Sequence, residues 1–102
     1  MQVQSITTEN FQKQVINSSQ PVLLDFYAPW CGPCSLLSPV LEEIAAQRPD
    51  IRVCKINIDR EHALASQYKV FRIPTLLVMR GGIEEKRIVG ARPKEELLQM
   101  FA

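Results

Sequence analysis

After Pro21 the chain reads Val22-Leu23-Leu24-Asp25-Phe26-Tyr27-Ala28, apolar or aromatic at every position but Asp25. A strand with one wet face alternates polar and apolar residues, so a run without a polar face belongs to a strand covered on both sides. The fold must therefore be layered, with helices on both faces of a sheet. Flanking patterns supply them. An apolar and polar alternation at Val3 to Ile6 reads as a short strand, and Thr7 or Thr8 can cap a helix through Phe11, Val15 and Ile16. From Cys34 onward, Leu37, Val40, Leu41, Ile44 and Ala45 recur at three and four residue steps, which puts them on one helix face. Pro49-Asp50 stops that helix, and Pro39 inside it removes a backbone hydrogen bond and predicts a bend near the first third.

Ile51 to Ile58 reads as a second buried strand, after which Asp59 is expected to cap a short helix carrying Leu64, Ala65 and Tyr68. Thr75 to Arg80 and Ile83 to Val89 are strand-like runs joined by Gly81-Gly82, a two-residue link that predicts an antiparallel hairpin. Pro93 suits the first turn of a closing helix, with Glu95 and Glu96 at its positive end and Leu97, Leu98, Met100 and Phe101 as its apolar contacts. Alternating strands and helices imply parallel pairing, and the terminal hairpin makes the sheet mixed. The expectation is an α/β chain of one domain over residues 1–102, with a central sheet of four to five strands.

Composition narrows function mainly by exclusion. Twelve Lys and Arg against 11 Asp and Glu leave a net charge of +1. Arg80, Lys86, Arg87, Arg92 and Lys94 alternate with Glu84, Glu85, Glu95 and Glu96, a mixed solvated surface rather than a nucleic-acid footprint. No run approaches the ~18 apolar residues of a membrane span, and Met1-Gln2-Val3-Gln4-Ser5 lacks the pattern of a secretion leader. Three cysteines are too few for a disulfide framework, so the expected compartment is a reducing one.

Chemistry concentrates at Trp30-Cys31-Gly32-Pro33-Cys34, between the end of a buried strand and the start of a helix. Unpaired N–H groups and the helix dipole favour negative charge there, so a thiol at that position ionises more easily. Two cysteines three apart can close a small ring; Pro33 is tolerated in a first turn, and Gly32 is expected to permit the tight loop and leave room for an incoming chain. A Cys-x-x-Cys pair beside a βαβ pattern is an established redox signature. The residues leave two rivals: zinc held by Cys31, Cys34, Cys54 and His62, or two inert packed thiols. Cys54, within an apolar strand, reads as a small buried hydrophobe, and His62 as a surface residue. Asp25 in so apolar a run must be paired or carry a raised pKa.

At these positions the chain resembles the thioredoxin family over essentially its whole length. Trp30-Cys31-Gly32-Pro33-Cys34 matches the family's motif, and Asp25, Lys55, Ile73-Pro74-Thr75 and Val89-Gly90-Ala91 fall where the family has equivalents. The resemblance implies the thioredoxin fold with four helices around a mixed sheet, and a cytoplasmic, monomeric protein-disulfide reductase. It implies that Cys31, the outward sulfur, attacks a target disulfide, that Cys34 resolves the mixed disulfide, that Asp25 accepts the proton, and that Lys55 tunes Asp25. A cis Pro74 is expected to leave the Ile73 backbone free to pair with an extended target, inside a rim of Trp30, Ile73, Pro74, Gly90 and Ala91. No metal or cofactor is implied; a separate thioredoxin reductase, drawing on NADPH or ferredoxin, would reset the Cys31–Cys34 disulfide. Gly32-Pro33 offers no charge to stabilise a thiolate further, which points to electron donation rather than oxidative folding. Tyr27, Ser35 and Arg72 depart from the usual family residues and shift charge around the rim.

Overall fold

In the computed structural model, which describes residues 3–102, the buried run forms strand β2 (Val22–Tyr27) at the centre of a five-stranded sheet. The other strands are β1 (Gln4–Ser5), β3 (Arg52–Asn57), β4 (Thr75–Arg80) and β5 (Ile83–Val89), in the spatial order β1-β3-β2-β4-β5. β1 and β2 both run parallel to β3, whereas β4 is antiparallel to β2 and to β5. Met1 and Gln2 of the stretch read for a leader lie outside the described residues.

The helices are α1 (Thr8–Phe11), α2 (Gly32–Gln47), α3 (His62–Gln67) and α4 (Lys94–Gln99). Thr7 occupies the N-cap of α1, and its N–H is received by Asn10 Oδ1 at 2.8 Å. α1 continues as a π-helical segment over Gln12–Ile16, closed by Asn17 N–H on the Gln12 carbonyl at 2.9 Å. Pro39 sits inside an unbroken α2. α3 starts at His62 with Glu61 at its N-cap, so Asp59 does not cap it. The N–H of Asp59 is folded back onto Asn57 Oδ1 at 2.9 Å, which makes the strand exit a side-chain turn and delays the helix by two residues.

Pleating sorts the strand residues onto two cores. Leu23, Val53, Leu76 and Val78 face Leu37, Leu41 and Ile44 of α2 and Leu97 of α4. Leu24, Phe26, Cys54, Ile56, Leu77 and Met79 face Phe11, Val15 and Leu64 on the other side. Each such side chain removed from water contributes roughly 1.5–3 kcal/mol, which is why β2 tolerates no polar face. At the β4–β5 turn Gly81 and Gly82 have φ of 59° and 80°, the left-handed conformation that a two-residue hairpin demands. No described helix is long and apolar enough to cross a membrane.

Candidate active site

The chain leaves β2 at Tyr27, turns through Ala28-Pro29-Trp30, and enters α2 with Cys31 as N-cap. Cys31 N–H returns to the Ala28 carbonyl at 3.2 Å, and Ser35 N–H reaches the Cys31 carbonyl at 3.2 Å. The Cys34 N–H points at Cys31 Sγ from 3.2 Å. A sulfur in that position receives a free N–H from the first helical turn, so a thiolate formed on Cys31 is stabilised there. Cys31 and Cys34 are joined in a disulfide with their Cα atoms 5.3 Å apart.

Accessibility does not separate the two residues: Cys31 and Cys34 are each 5% exposed, so Cys31 is not the expected outward residue. Ala28, Tyr27, Ile58 and Ile73 pack around the closed pair. The asymmetry lies instead in hydrogen bonding, since Cys31 alone takes the helix N–H. Gly32 leaves the expected room, since a Cβ built there meets nothing within 4 Å, but it uses no left-handed conformation, so the turn itself does not demand a glycine.

Two other segments reach the pair. Ile73-Pro74 is a cis peptide, and the Ile73 carbonyl lies 4.0 Å from Cys31 Sγ. Gly90, with φ of 99°, donates its N–H to the Pro74 carbonyl at 2.8 Å and so brings Gly90-Ala91 to the same place. Neither the N–H nor the carbonyl of Ile73 bonds to another backbone group among the described residues. Trp30 is 70% exposed, not a core aromatic, and its Nε1–H is received by Asp59 Oδ2 at 2.9 Å. The loops after parallel strands β2 and β3 leave the sheet at one end, which brings Asp59 to Trp30.

Behind the disulfide lies a cavity of about 130 Å³ whose walls include Asp25, Tyr27, Cys34, Ser35 and Lys55. Asp25 is 3% exposed and its Oδ1 has no hydrogen-bond partner. Burial pushes its carboxyl up to about 7, with the Lys55 charge pulling partly back. Lys55 stands opposite Asp25 in the β2–β3 register, and its Nζ sits 5.6 Å from the Tyr27 ring centroid. The contact of Tyr27 with Lys55 joins two strands and carries no local sequence signal. Cys54 faces α1 and α3, across the sheet from this cavity, and burial raises its thiol to about 12. The four residues weighed as zinc ligands therefore do not converge.

The family model described as Thioredoxin matches residues 2–102. The chain belongs to the thioredoxin family. Thioredoxin 1 of a Nostoc species is 46% identical over 95 residues, covering 92% of this chain and 89% of that protein. The thioredoxin of Alicyclobacillus acidocaldarius is 45% identical over 99 residues, covering 96% and 93%. A bifunctional thioredoxin reductase/thioredoxin of Mycobacterium leprae is 45% identical over 95 residues, which are 92% of this chain and 21% of that one. With its thioredoxin-family sequence and a Cys-x-x-Cys pair at bonding distance, the chain is a dithiol–disulfide redox carrier.

Proposed function

We propose that residues 1–102 act as one domain and one monomer that reduces disulfides in other proteins, with Cys31 as nucleophile. The observation that carries this reading is the Cys34 N–H aimed at Cys31 Sγ at the start of α2. The Cys31 thiolate attacks one sulfur of a target disulfide; a Cys31–target bond forms and the other target sulfur leaves as thiolate. Cys34 then gives its proton to Asp25 through the shared cavity, which is roomy enough to admit water. The Cys34 thiolate attacks Cys31 Sγ and expels the second target thiolate. Two electrons pass to the target, and the Cys31–Cys34 disulfide remains. Because both sulfurs belong to one turn, the second attack has the high effective concentration of an intramolecular step.

Lys55 tunes Asp25, and Trp30, Ile73, Pro74, Gly90 and Ala91 form the rim on which an extended target segment lies, its main chain pairing with Ile73. Trp30 and the Gly32-Pro33 pair shape the loop around the sulfurs. Regeneration falls to a separate thioredoxin reductase fed by NADPH or ferredoxin; the Mycobacterium leprae relative, which unites both activities by name, supports such a partnership. A reductant works where thiols stay reduced, which favours the cytoplasm.

The test is insulin reduction by dithiothreitol followed by turbidity. The chain is expected to accelerate precipitation and Cys31→Ser to abolish the effect; no acceleration, or full activity in Cys31→Ser, rejects the reading. A strongly oxidising potential for the pair against glutathione favours a thiol oxidase instead.

A further inference from the structure

Phe71 is 86% exposed, the most exposed large hydrophobic side chain among the described residues. It lies two residues before Ile73, so its Cα is within about 7.6 Å of the Ile73 Cα and hence beside the disulfide. An aromatic ring in water is unremarkable on a loose loop, but this loop is tied at both ends. Arg87, itself paired with Glu84 at 2.8 Å, donates to the Tyr68 carbonyl at 2.6 Å and to the Lys69 carbonyl at 3.4 Å. Val70 N–H reaches the Ala65 carbonyl at 2.9 Å, and Thr75 Oγ1–H the Arg72 carbonyl at 2.6 Å. The backbone is fixed while the ring is offered outward, so covering it sacrifices little conformational freedom.

Arg72, next in line, is exposed and makes no ion pair among the described residues. The carboxylate of Asp59 at this end of the sheet is taken by Trp30.

We infer that Phe71 and Arg72 form a specificity shelf, continuous with the rim at Ile73, for disulfide-bearing protein segments with a large apolar and an acidic residue near the reactive cysteine. The inference rests on the reductase reading and adds the class of target. An extended segment pairing with Ile73 carries its flanking side chains past residues 71 and 72, where the ring receives an apolar group and the guanidinium a carboxylate.

Two peptides, each with a central cysteine disulfide-linked to nitrothiobenzoate, test this: one flanked by Leu and Asp, the other by Ser and Lys. Hydroxyethyl disulfide serves as a common reference, with dithiothreitol as reductant. The wild-type chain is expected to favour the Leu/Asp peptide roughly tenfold in kcat/KM, through KM. Phe71→Ser should remove most of that preference, Phe71→Tyr should keep it, and Arg72→Glu should shift it toward the Lys peptide. Equal handling of both peptides by wild type, or an undiminished preference in Phe71→Ser, overturns the shelf. If wild type reduces neither peptide nor hydroxyethyl disulfide, the reductase reading fails by itself. The shelf is then decided by titrating the Leu/Asp peptide, with serine at the cysteine position, onto the oxidised chain: roughly tenfold weaker binding in Phe71→Ser supports it, and equal binding overturns it.

Discussion

Asp25 and Lys55 stand opposite each other on adjacent parallel strands, yet no ion pair joins them. The ammonium lies over the Tyr27 ring, while the carboxylate borders the cavity it shares with Cys34. A carboxyl so placed is poised between charged and neutral forms near neutrality.

Stability should therefore depend on pH through Asp25. In the unfolded chain the carboxyl ionises near 3.8, in the folded one only near 7, so across that interval the folded state binds the extra proton. Rising pH then favours unfolding, and the loss is complete above about 7. Asp25→Asn is expected to be more stable relative to wild type at pH 8 than at pH 3.5, by on the order of 4 kcal/mol. Urea denaturation at the two pH values measures it; an unchanged difference contradicts the raised carboxyl.

The same group should govern resolution of the mixed disulfide. Wild-type turnover of a trapped Cys31–target bond is expected to rise through pH 7, and Asp25→Asn to lose that inflection and slow by about a hundredfold. Lys55→Met removes the charge that lowers the Asp25 carboxyl, so the inflection should move to higher pH. Stopped-flow resolution rates across pH 5–9 report both effects.

The three thiols should separate on alkylation of the reduced chain. Cys31 is expected to react fastest, Cys34 slowly, and Cys54 only after unfolding, because it is fully buried with its thiol pushed up to about 12. Mass-mapped iodoacetamide labelling gives the order. Equal rates for Cys31 and Cys34 would remove the basis for assigning their roles.

Thr75 is buried, and its hydroxyl ties the Arg72 carbonyl. Thr75→Val removes that hydrogen bond at a cost of about 0.5–1.5 kcal/mol and should raise KM for protein disulfides more than it lowers kcat. Ile44→Ala, on the sheet-facing side of α2, should cost about 2–5 kcal/mol with no such kinetic split. Thermal melts with steady-state kinetics distinguish the two.

The elements legible in sequence were those whose physics is local. Val22–Tyr27 had to be doubly covered because nothing in it tolerates water but Asp25, and Gly81-Gly82 had to turn because few other pairs accept two positive φ angles. The cysteine motif announced its own helix start. Asp59 misled because residues that cap helices also close strand exits, and its partner Trp30 is 29 positions away. The burial of Cys31 depends on Ile58 and Ile73, which arrive from distant segments, so no local pattern encodes it. The Tyr27–Lys55 contact and the cavity exist only once β2, β3 and α2 are assembled.

The borders of the sheet bear on how this chain keeps company with its own kind. On one margin β1 is only two residues long, and on the other β5 carries Glu84, Glu85, Lys86 and Arg87 in succession. A visiting strand finds too little main chain on the first and a fence of ions on the second. Copies are thus discouraged from stacking flank to flank, whereas the main chain at Ile73, inside the fold's functional end, keeps backbone groups that no other described backbone group takes.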